Sequence, residues 1–444
     1  MVSLTDAGAR AQTSGPASGI QLVAAPQDLQ STSAAGTQQT IAFSDALQRA
    51  RTNNPQMQAA YTALGLAHQD FVQSRAALLP NVSYNMQAIY TEPASHGSSN
   101  QVFIANNGIH EYIAQGNVHQ NLSLQTFADY GRFHEAQAVA RAKSEIALRG
   151  LVVTVTRSYY GYLAAQRKYA TAQRAIEEAQ HFFGISEKLE KGGEVAHSDV
   201  IKAQIQFQQQ QRDLREAELG RNKARLDLAV LVFKDFNENF EVVDDLDPPE
   251  PLPSFDEVTA AGTRNNPDLS AAQSALRQAS REVTSAWGGV LPSVSLDYWY
   301  GIDANRMATR VDGVNTLGSA AAATLQFPIW TWGANFSKVK QANLQKHQAA
   351  VELNAAQRTL LANLRSFYGE AQAAREELDL LRQSSQLATE SLRLTNLRYQ
   401  SGDATVLEVV DAQNTLTLAS NAYHDGQVRF RVAVANIQTL TGKF

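Results

Sequence analysis

The stretch LNAAQRTLLANLRSFYGEAQAAREELDLLRQSSQLATESLRLTNLRYQSGDATVLEVVDAQ, residues 353–413, decides the fold of this chain. Apolar or small residues fall at Leu353, Leu360, Leu364, Phe367, Ala371, Ala374, Leu378, Leu381, Ser385, Ala388, Leu392, Thr395 and Tyr399. From Leu360 onward the steps alternate between four and three residues, the heptad seam of helices that supercoil on a neighbour. Many seam residues are Ala or Ser, so the partner helix can come close while each contact buries little. A helix from about Gly333 to Tyr399 would be roughly 100 Å long at about 1.5 Å per residue, an element that no compact core needs. It stops at Gln400-Ser401-Gly402-Asp403, where Gly402 can take the left-handed conformation that ends a helix. A second heptad-like run starts at Val406. The stretch reads as a long helix, a tight turn and a long return helix.

The same pattern occurs twice. At an offset of 212 residues Phe43 meets Phe255, Asn53-Asn54-Pro55 meets Asn265-Asn266-Pro267, Leu79-Pro80 meets Leu291-Pro292, and Val82-Ser83 meets Val294-Ser295. Further on, at an offset of 209, Gly193 and Ala203-Gln204 meet Gly402 and Ala412-Gln413. The chain is a tandem duplication. Its expected divisions are a tail over 1–40, a first repeat over 41–240, an acidic linker with four prolines over 241–254 and a second repeat over 255–444. The tail is rich in Ser, Ala, Gln, Gly and Thr and reads as disordered.

Each repeat begins with a helix, about Phe43 to Leu78 and Phe255 to Val290, which Pro80 and Pro292 bring to an end. Strand alternation follows. Val82, Tyr84, Met86, Ala88 and Tyr90 alternate with Ser83, Asn85 and Gln87, and Val294, Leu296, Tyr298, Tyr300 and Ile302 alternate with Ser295, Asp297 and Asp303. A second run follows a Gly/Asn/Ser-rich loop in each half, from Tyr112 to Gln125 and, weaker and alanine-rich, from about Val314 to Phe327. Long helices come next, about Gly131 to Lys191 and Gly333 to Gln400, each with a return helix. An aromatic face opposite an amide and hydroxyl face suits a soluble sheet with one buried side. It equally suits a barrel with lipid outside and water inside. Four strands cannot close in lipid, because open edges leave backbone groups unpaired, so the membrane reading requires an oligomer.

Composition removes other classes. A formal charge of −5 gives no reason to expect nucleic acid. The nine His and four Met are scattered, and Cys is absent, which excludes disulfides and thiolate sites and argues against a lipid anchor on this chain. No run of eighteen apolar residues exists. No nucleophile–base set, phosphate loop or metal spacing appears, so neither an enzyme nor a cofactor is expected.

With this layout the sequence resembles the TolC family of outer membrane efflux channels over about Thr40 to Gly442. The resemblance rests on the repeat, on the two Asn-Asn-Pro motifs and on Leu79-Pro80-Asn81-Val82 with its copy. It rests most on Arg398-Tyr399-Gln400-Ser401-Gly402 running into Glu408-Val409-Val410-Asp411-Ala412-Gln413. It implies an α+β membrane protein in the outer membrane, extending into the periplasm. The fold would be a homotrimer in which four strands per chain build a twelve-stranded barrel above a helical tunnel. The partners it implies are outer membrane lipid, a periplasmic adaptor and an inner membrane pump of RND or ABC type. It assigns adaptor docking to the turns at Gly192, Gly193 and Glu194 and at Ser401, Gly402 and Asp403. It assigns a closed pore iris to Tyr399, Glu408 and Asp411, although Ala404 stands where the best-known member has a basic residue. Carboxylates gathered on a threefold axis would hold protons above their normal pKa.

Several readings stay open at this level. Glu408 and Asp411 also suit the acidic first turns of a helix. Trp330 and Trp332 suit either an aromatic girdle or packing at a helix–barrel joint. Tyr159 and Tyr160, matched by Phe367 and Tyr368, suit seam packing, and the glutamines from 204 to 211 a solvated helix face. The lipid face would consist of Tyr84, Tyr90, Leu296, Tyr298 and Tyr300. The alternative to an exit duct is a soluble periplasmic coiled-coil scaffold whose sheets pack within the chain.

Overall fold

The computed structural model describes residues 39–90, 110–246 and 251–442. The expected tail lies outside the described residues except for Gln39 and Thr40, as does the Gly/Asn/Ser-rich loop over 91–109.

The first repeat opens with β1 (Gln39–Ile41), α1 (Phe43–Asn53) and α2 (Pro55–Ala76), and the second with α5 (Phe255–Asn265) and α6 (Pro267–Gly288). Each opening helix, expected to be continuous, is broken in two by the Asn-Pro step. A proline forces the residue before it out of the helical region. Asn54 and Asn266 accordingly sit at ψ 121° and 123°. Their side chains then accept from the Met57 and Leu269 N–H groups, so each asparagine caps the new helix with Pro at its first position. The repeated motif is therefore a stop and a restart.

The strands are β2 (Asn81–Tyr90), β3 (His110–Leu122), β5 (Ser293–Ala304) and β8 (Leu317–Gln326), with a short hairpin of β6 (Arg310–Val311) and β7 (Val314–Asn315) between the last two. They form one antiparallel sheet in the order β2-β3-β5-β8. The run expected to reach Gln125 ends at Leu122, because Ser123 caps the next helix by accepting from the Thr126 N–H.

The long helices are α3 (Leu124–Gly192) and α7 (Ala334–Gln400), with return helices α4 (His197–Val232) and α8 (Val406–Thr441). Every seam position from Leu360 to Tyr399 is buried or half-buried. Beside the sheet the helices neighbour one another in the order α2, α3, α6, α7 and toward the tips in the order α4, α3, α8, α7. The helix α7 ends the row at both levels. Among the described residues no helix is long and apolar enough to cross a membrane.

Midway along the wall each repeat has an apolar core in which the phenylalanine that opens the repeat packs on an aromatic ring of the long helix. Phe43 meets Tyr159 edge-on at 5.6 Å, and Phe255 meets Tyr368 at 5.2 Å. In the first repeat the buried Tyr159 hydroxyl donates to the Val243 carbonyl at 2.8 Å, with that of Ile41 at 3.2 Å beside it. Burial pushes its pKa well up. Those carbonyls flank a parallel pairing of β1 with β4 (Phe240–Val242), so the start of the linker is a strand. Arg167 grips both carboxylate oxygens of Asp244 at 3.0 and 2.8 Å, and Arg431 donates to the Asp245 carbonyl. These contacts strap the acidic linker to α3 and α8.

Candidate functional site at the helix tips and the sheet

Both hairpins turn on a left-handed glycine, Gly193 at φ 77° and Gly402 at φ 81°. At the first turn the Gly193 N–H donates to Glu190 and that of Glu194 to Leu189, both at 2.9 Å. At the second the Gly402 N–H donates to Tyr399 at 3.1 Å and that of Asp403 to Arg398 at 2.8 Å. These bonds satisfy the last carbonyls of each long helix, and a side chain at this φ would be strained. Gly192, Gly193 and Glu194 and Ser401, Gly402 and Asp403 are all exposed.

The two turns differ in how the return helix starts. Thr405 and Glu408 form a capping box: the Thr405 hydroxyl accepts from the Glu408 N–H at 3.3 Å, and the Glu408 carboxylate accepts from the Thr405 N–H at 3.2 Å. The corresponding Ala196 offers no side-chain cap. Arg398 adds a clamp by donating to the Asp403 carbonyl at 2.8 Å and to Glu408 Oε2 at 3.3 Å. The Thr405 N–H, then the Thr405 hydroxyl and Arg398, hold the Glu408 carboxyl below its ordinary pKa. The raised value expected for an acidic ring concerns carboxylates of three chains together, whereas this lowering arises from donors within the one chain.

Asp411 is exposed on the same face of α8, one turn on, with no ion pair among the described residues. In the first repeat Asp199 and Lys202 occupy the positions of Glu408 and Asp411 and pair with each other at 3.0 Å. Net acidity at this level therefore belongs to the second repeat. Tyr399, expected with the iris, is only 4% exposed. Its ring packs on Phe182 at 4.9 Å and its hydroxyl meets that of the fully buried Ser186 at 3.0 Å. It joins Phe182, Ala203, Val406 and Val409 in a core that locks the two hairpin tips together. The clamp residue Arg398 lay within the quoted motif, but its partners became visible only when the turn brought residues 398 and 408 together. The glutamine cluster is solvated only in part: Gln204, Gln208 and Gln211 are exposed as expected. Gln206 and Gln210 are buried, four residues apart on the inner face of α4.

At the other end of the chain the strand register gathers the apolar positions. Val82, Val118, Tyr298 and Ala321 stand opposite one another across the four strands, as do Tyr84, Gly116, Tyr300 and Ser319, and Met86, Ala114, Ile302 and Leu317. Directly paired residues share a face, so Tyr84, Leu296, Tyr298 and Tyr300 lie on one side with Tyr90 at its rim. The opposite side carries Asn85, Gln115, Asn117, Ser295 and Asp297, with His119 and Asp297 bonded at 2.7 Å. The apolar side is uncovered: Val82, Tyr84, Met86 and Tyr90 are all more than 60% exposed. Trp330 and Trp332, set edge to face at 5.7 Å below the sheet, are exposed rather than packed at a joint.

Comparison with known proteins decides the family. The family profile for outer membrane efflux protein matches residues 46–232 and 263–443. This chain belongs to the outer membrane efflux protein family. Outer membrane protein TolC of Vibrio cholerae serotype O1 is 24% identical over 414 residues, 89% of each chain. Outer membrane protein OprJ of Pseudomonas aeruginosa is 23% identical over 65% of this chain, and the match spans 60% of that protein. Among solved structures, the open state of the MtrE outer membrane channel of Neisseria gonorrhoeae superposes with a TM-score of 0.76 at 21% identity, covering 90% of this chain and 88% of that one. The CmeC outer membrane channel of Campylobacter jejuni also gives 0.76, at 18% identity, over 90% and 85%. This efflux-family protein is thus an outer membrane protein that extends into the periplasm, with the fold of an outer membrane channel.

Proposed function

We propose that this protein is a passive exit duct that works as a homotrimer. The observation that carries the proposal is the sheet: among the described residues one apolar face is uncovered and both edge strands, β2 and β8, lack an outer partner. In lipid such edges must be satisfied, and pairing β8 of one chain with β2 of the next does so around a closed twelve-stranded ring. The helices support the same head-to-tail contact. The α7 edge carries exposed Leu380, Leu387 and Leu394 at seven-residue steps, and α4, at the other edge, carries exposed Ile201, Ile205, Leu219 and Leu226. A heterologous interface of this kind closes into a ring. The soluble scaffold has no support here, since nothing among the described residues packs over the tyrosine face.

At the far end, the Gly192–Glu194 and Ser401–Asp403 turns are the docking points for a periplasmic adaptor, which couples the duct to an inner membrane pump of RND or ABC type. Glu408 and Asp411 form the acidic constriction at that mouth. The relatives serve different cargo by name: alkaline protease secretion protein AprF at 21% identity and pyoverdine export outer membrane protein OpmQ at 23%. A duct selects weakly, and cargo choice belongs to the pump. Light scattering of the detergent-solubilised protein tests the assembly. A trimer mass, with ion conductance in a planar bilayer, is expected; a monomer or dimer overturns the proposal.

A further inference from the structure

The apolar core of the first repeat is one-sided. On α3, Val155, Tyr159 and Leu163 join it and pack toward α1, β1 and β4. At about 100° per residue, Arg157, Gly161 and Lys168 stand on the opposite face of the same helix. On α8, Arg431 reaches the linker through the Asp245 carbonyl, and Arg429 and Asn436 are turned away from it. A layer of strands and short helices set inside a tunnel would fill it. In the duct this layer therefore lies outside, and the opposite face lines the bore.

That face carries a groove of about 420 Å³ between α3 and α8, lined by Arg157, Gly161, Ala164, Val428, Val432 and Asn436 among others. The helix α3 runs toward the tips and α8 returns from them, so Arg157 and Asn436 share the end nearer the sheet. Lys168 and Asp425 share the other end, where they pair at 2.6 Å. Both helices lie inside the row rather than at its α4 or α7 edge, so a neighbouring copy does not cover the groove. Its floor is open. Beyond the backbone of its own helix, nothing lies within 4 Å of where a Cβ on Gly161 would stand. Glycine weakens a helix interior, and here no packed neighbour requires it.

The charges around the groove do not cancel. Lys168 is held by Asp425, and Arg429 by Glu370 at 2.8 Å and by Glu377. Arg157 has no acidic partner among the described residues, and the Asn436 amide has no partner there either. An open guanidinium and an open amide thus stand at one end of an apolar floor, and a closed ion pair bounds the other.

We propose that this groove binds amphipathic organic monoanions. The carboxylate sits on Arg157 and Asn436, and the apolar body lies along Val428, Val432 and Ala433. A guanidinium offers a carboxylate two parallel N–H donors, and the body gains by leaving water for the valine surface. From 157 to 168 the helix rises roughly 16 Å, which sets the longest guest. A cation of the same shape is rejected, because its head meets Arg157 with like charge. That the groove opens into a bore rests on the duct reading; binding itself does not.

Calorimetric titration of phenylbutyrate into the full-length protein assembled in lipid nanodiscs tests the inference, with empty nanodiscs as the blank. Saturable binding at one site per chain is expected. Phenylbutylamine, with the same body and the opposite charge, should bind about tenfold more weakly. Arg157→Gln should weaken binding of the acid about tenfold and leave the amine unchanged or improved. Gly161→Leu should remove most binding of the acid by filling the floor, while it strengthens the helix. If Gly161→Leu does not assemble, Ala165→Leu on the same floor decides by the same criterion. Heat that empty nanodiscs reproduce, equal affinity for acid and amine, or unchanged affinity in assembled Arg157→Gln overturns the proposal. Saturable binding that depends on Arg157 in an assembly that does not conduct would keep the groove and remove the duct. Conduction without such binding would do the reverse.

Discussion

Glu408 and Asp411 lie three residues apart on one exposed face of α8, but they are not equivalent. Glu408 spends its carboxylate on the Thr405 N–H and hydroxyl and on Arg398, while Asp411 is left to face solvent. In a trimer three Asp411 carboxylates would therefore carry most of the free charge at the mouth. Asp411→Asn should abolish most of the block of single-channel current by divalent cations, and Glu408→Ala should weaken it less. Unaltered block in an assembled Asp411→Asn trimer would return that residue to an ordinary helix surface. Acid provides a second readout for Glu408. Its folded pKa is depressed below the ordinary 4.5, so its capping contribution is present above that value. The contribution is lost as pH falls through the depressed folded pKa. The amides of the first turn of α8 should accordingly stay protected at neutral and mildly acidic pH and begin to exchange faster only below the ordinary carboxylate range.

At the scale of elements, close approach is arranged by small residues at particular places. In the helix pair, a Cβ on Gly426 of α8 would stand 2.6 Å from the Leu381 side chain on the α7 seam, so the glycine admits the leucine. In the sheet, a Cβ on Gly301 of β5 would stand 2.1 Å from the Ala114 carbonyl and 2.6 Å from the Gln115 Cα on β3. Backbone cannot yield as a side-chain tip can. Its partner across the sheet, Gly318 on β8, has nothing within 4 Å. Gly301→Ala should cost about 1–3 kcal/mol or more through forced separation of β3 from β5, whereas Gly318→Ala should be nearly neutral. The fraction of folded, heat-resistant assembly recovered from membranes checks this. Equal recovery of the two variants would mean that the β3–β5 spacing is looser than described.

At the scale of the whole molecule, the sheet faces decide where the protein can live. Tyr298 pairs across to Val118 and Ala321 on the apolar side, while Ser295 pairs to Asn121 and Thr324 on the other. Tyr298→Lys should cost roughly 2–4 kcal/mol near the membrane midplane and reduce the assembled protein in the outer membrane fraction. Ser295→Lys, pointing to the aqueous side, should assemble close to normally. Similar losses for both would mean that the faces are misassigned or that the sheet does not meet lipid.

The element order, the duplication and the seam were legible in the residues, because each follows from local periodicity: steps of four and three, steps of two, and Gly or Pro at the ends. The Leu360 to Tyr399 ladder and the aromatic alternation of β2 and β5 are of this kind. The Asn54-Pro55 break was equally local and was available from the rule applied to Pro80. Other features came only from the folded chain, because they join residues far apart in sequence. The β1–β4 pairing closed by Tyr159, the strapping of Asp244 by Arg167 and the burial of Tyr399 against Phe182 and Ser186 are examples. Residue type also misleads where helix geometry, not chemistry, selects what is buried. Gln206, Gln210 and Gln413 look like solvent-facing residues, and they lie inside because their positions on α4 and α8 face the helices packed against them. The heptad determined that long helices pair; only their tertiary arrangement decided which polar side chains they enclose.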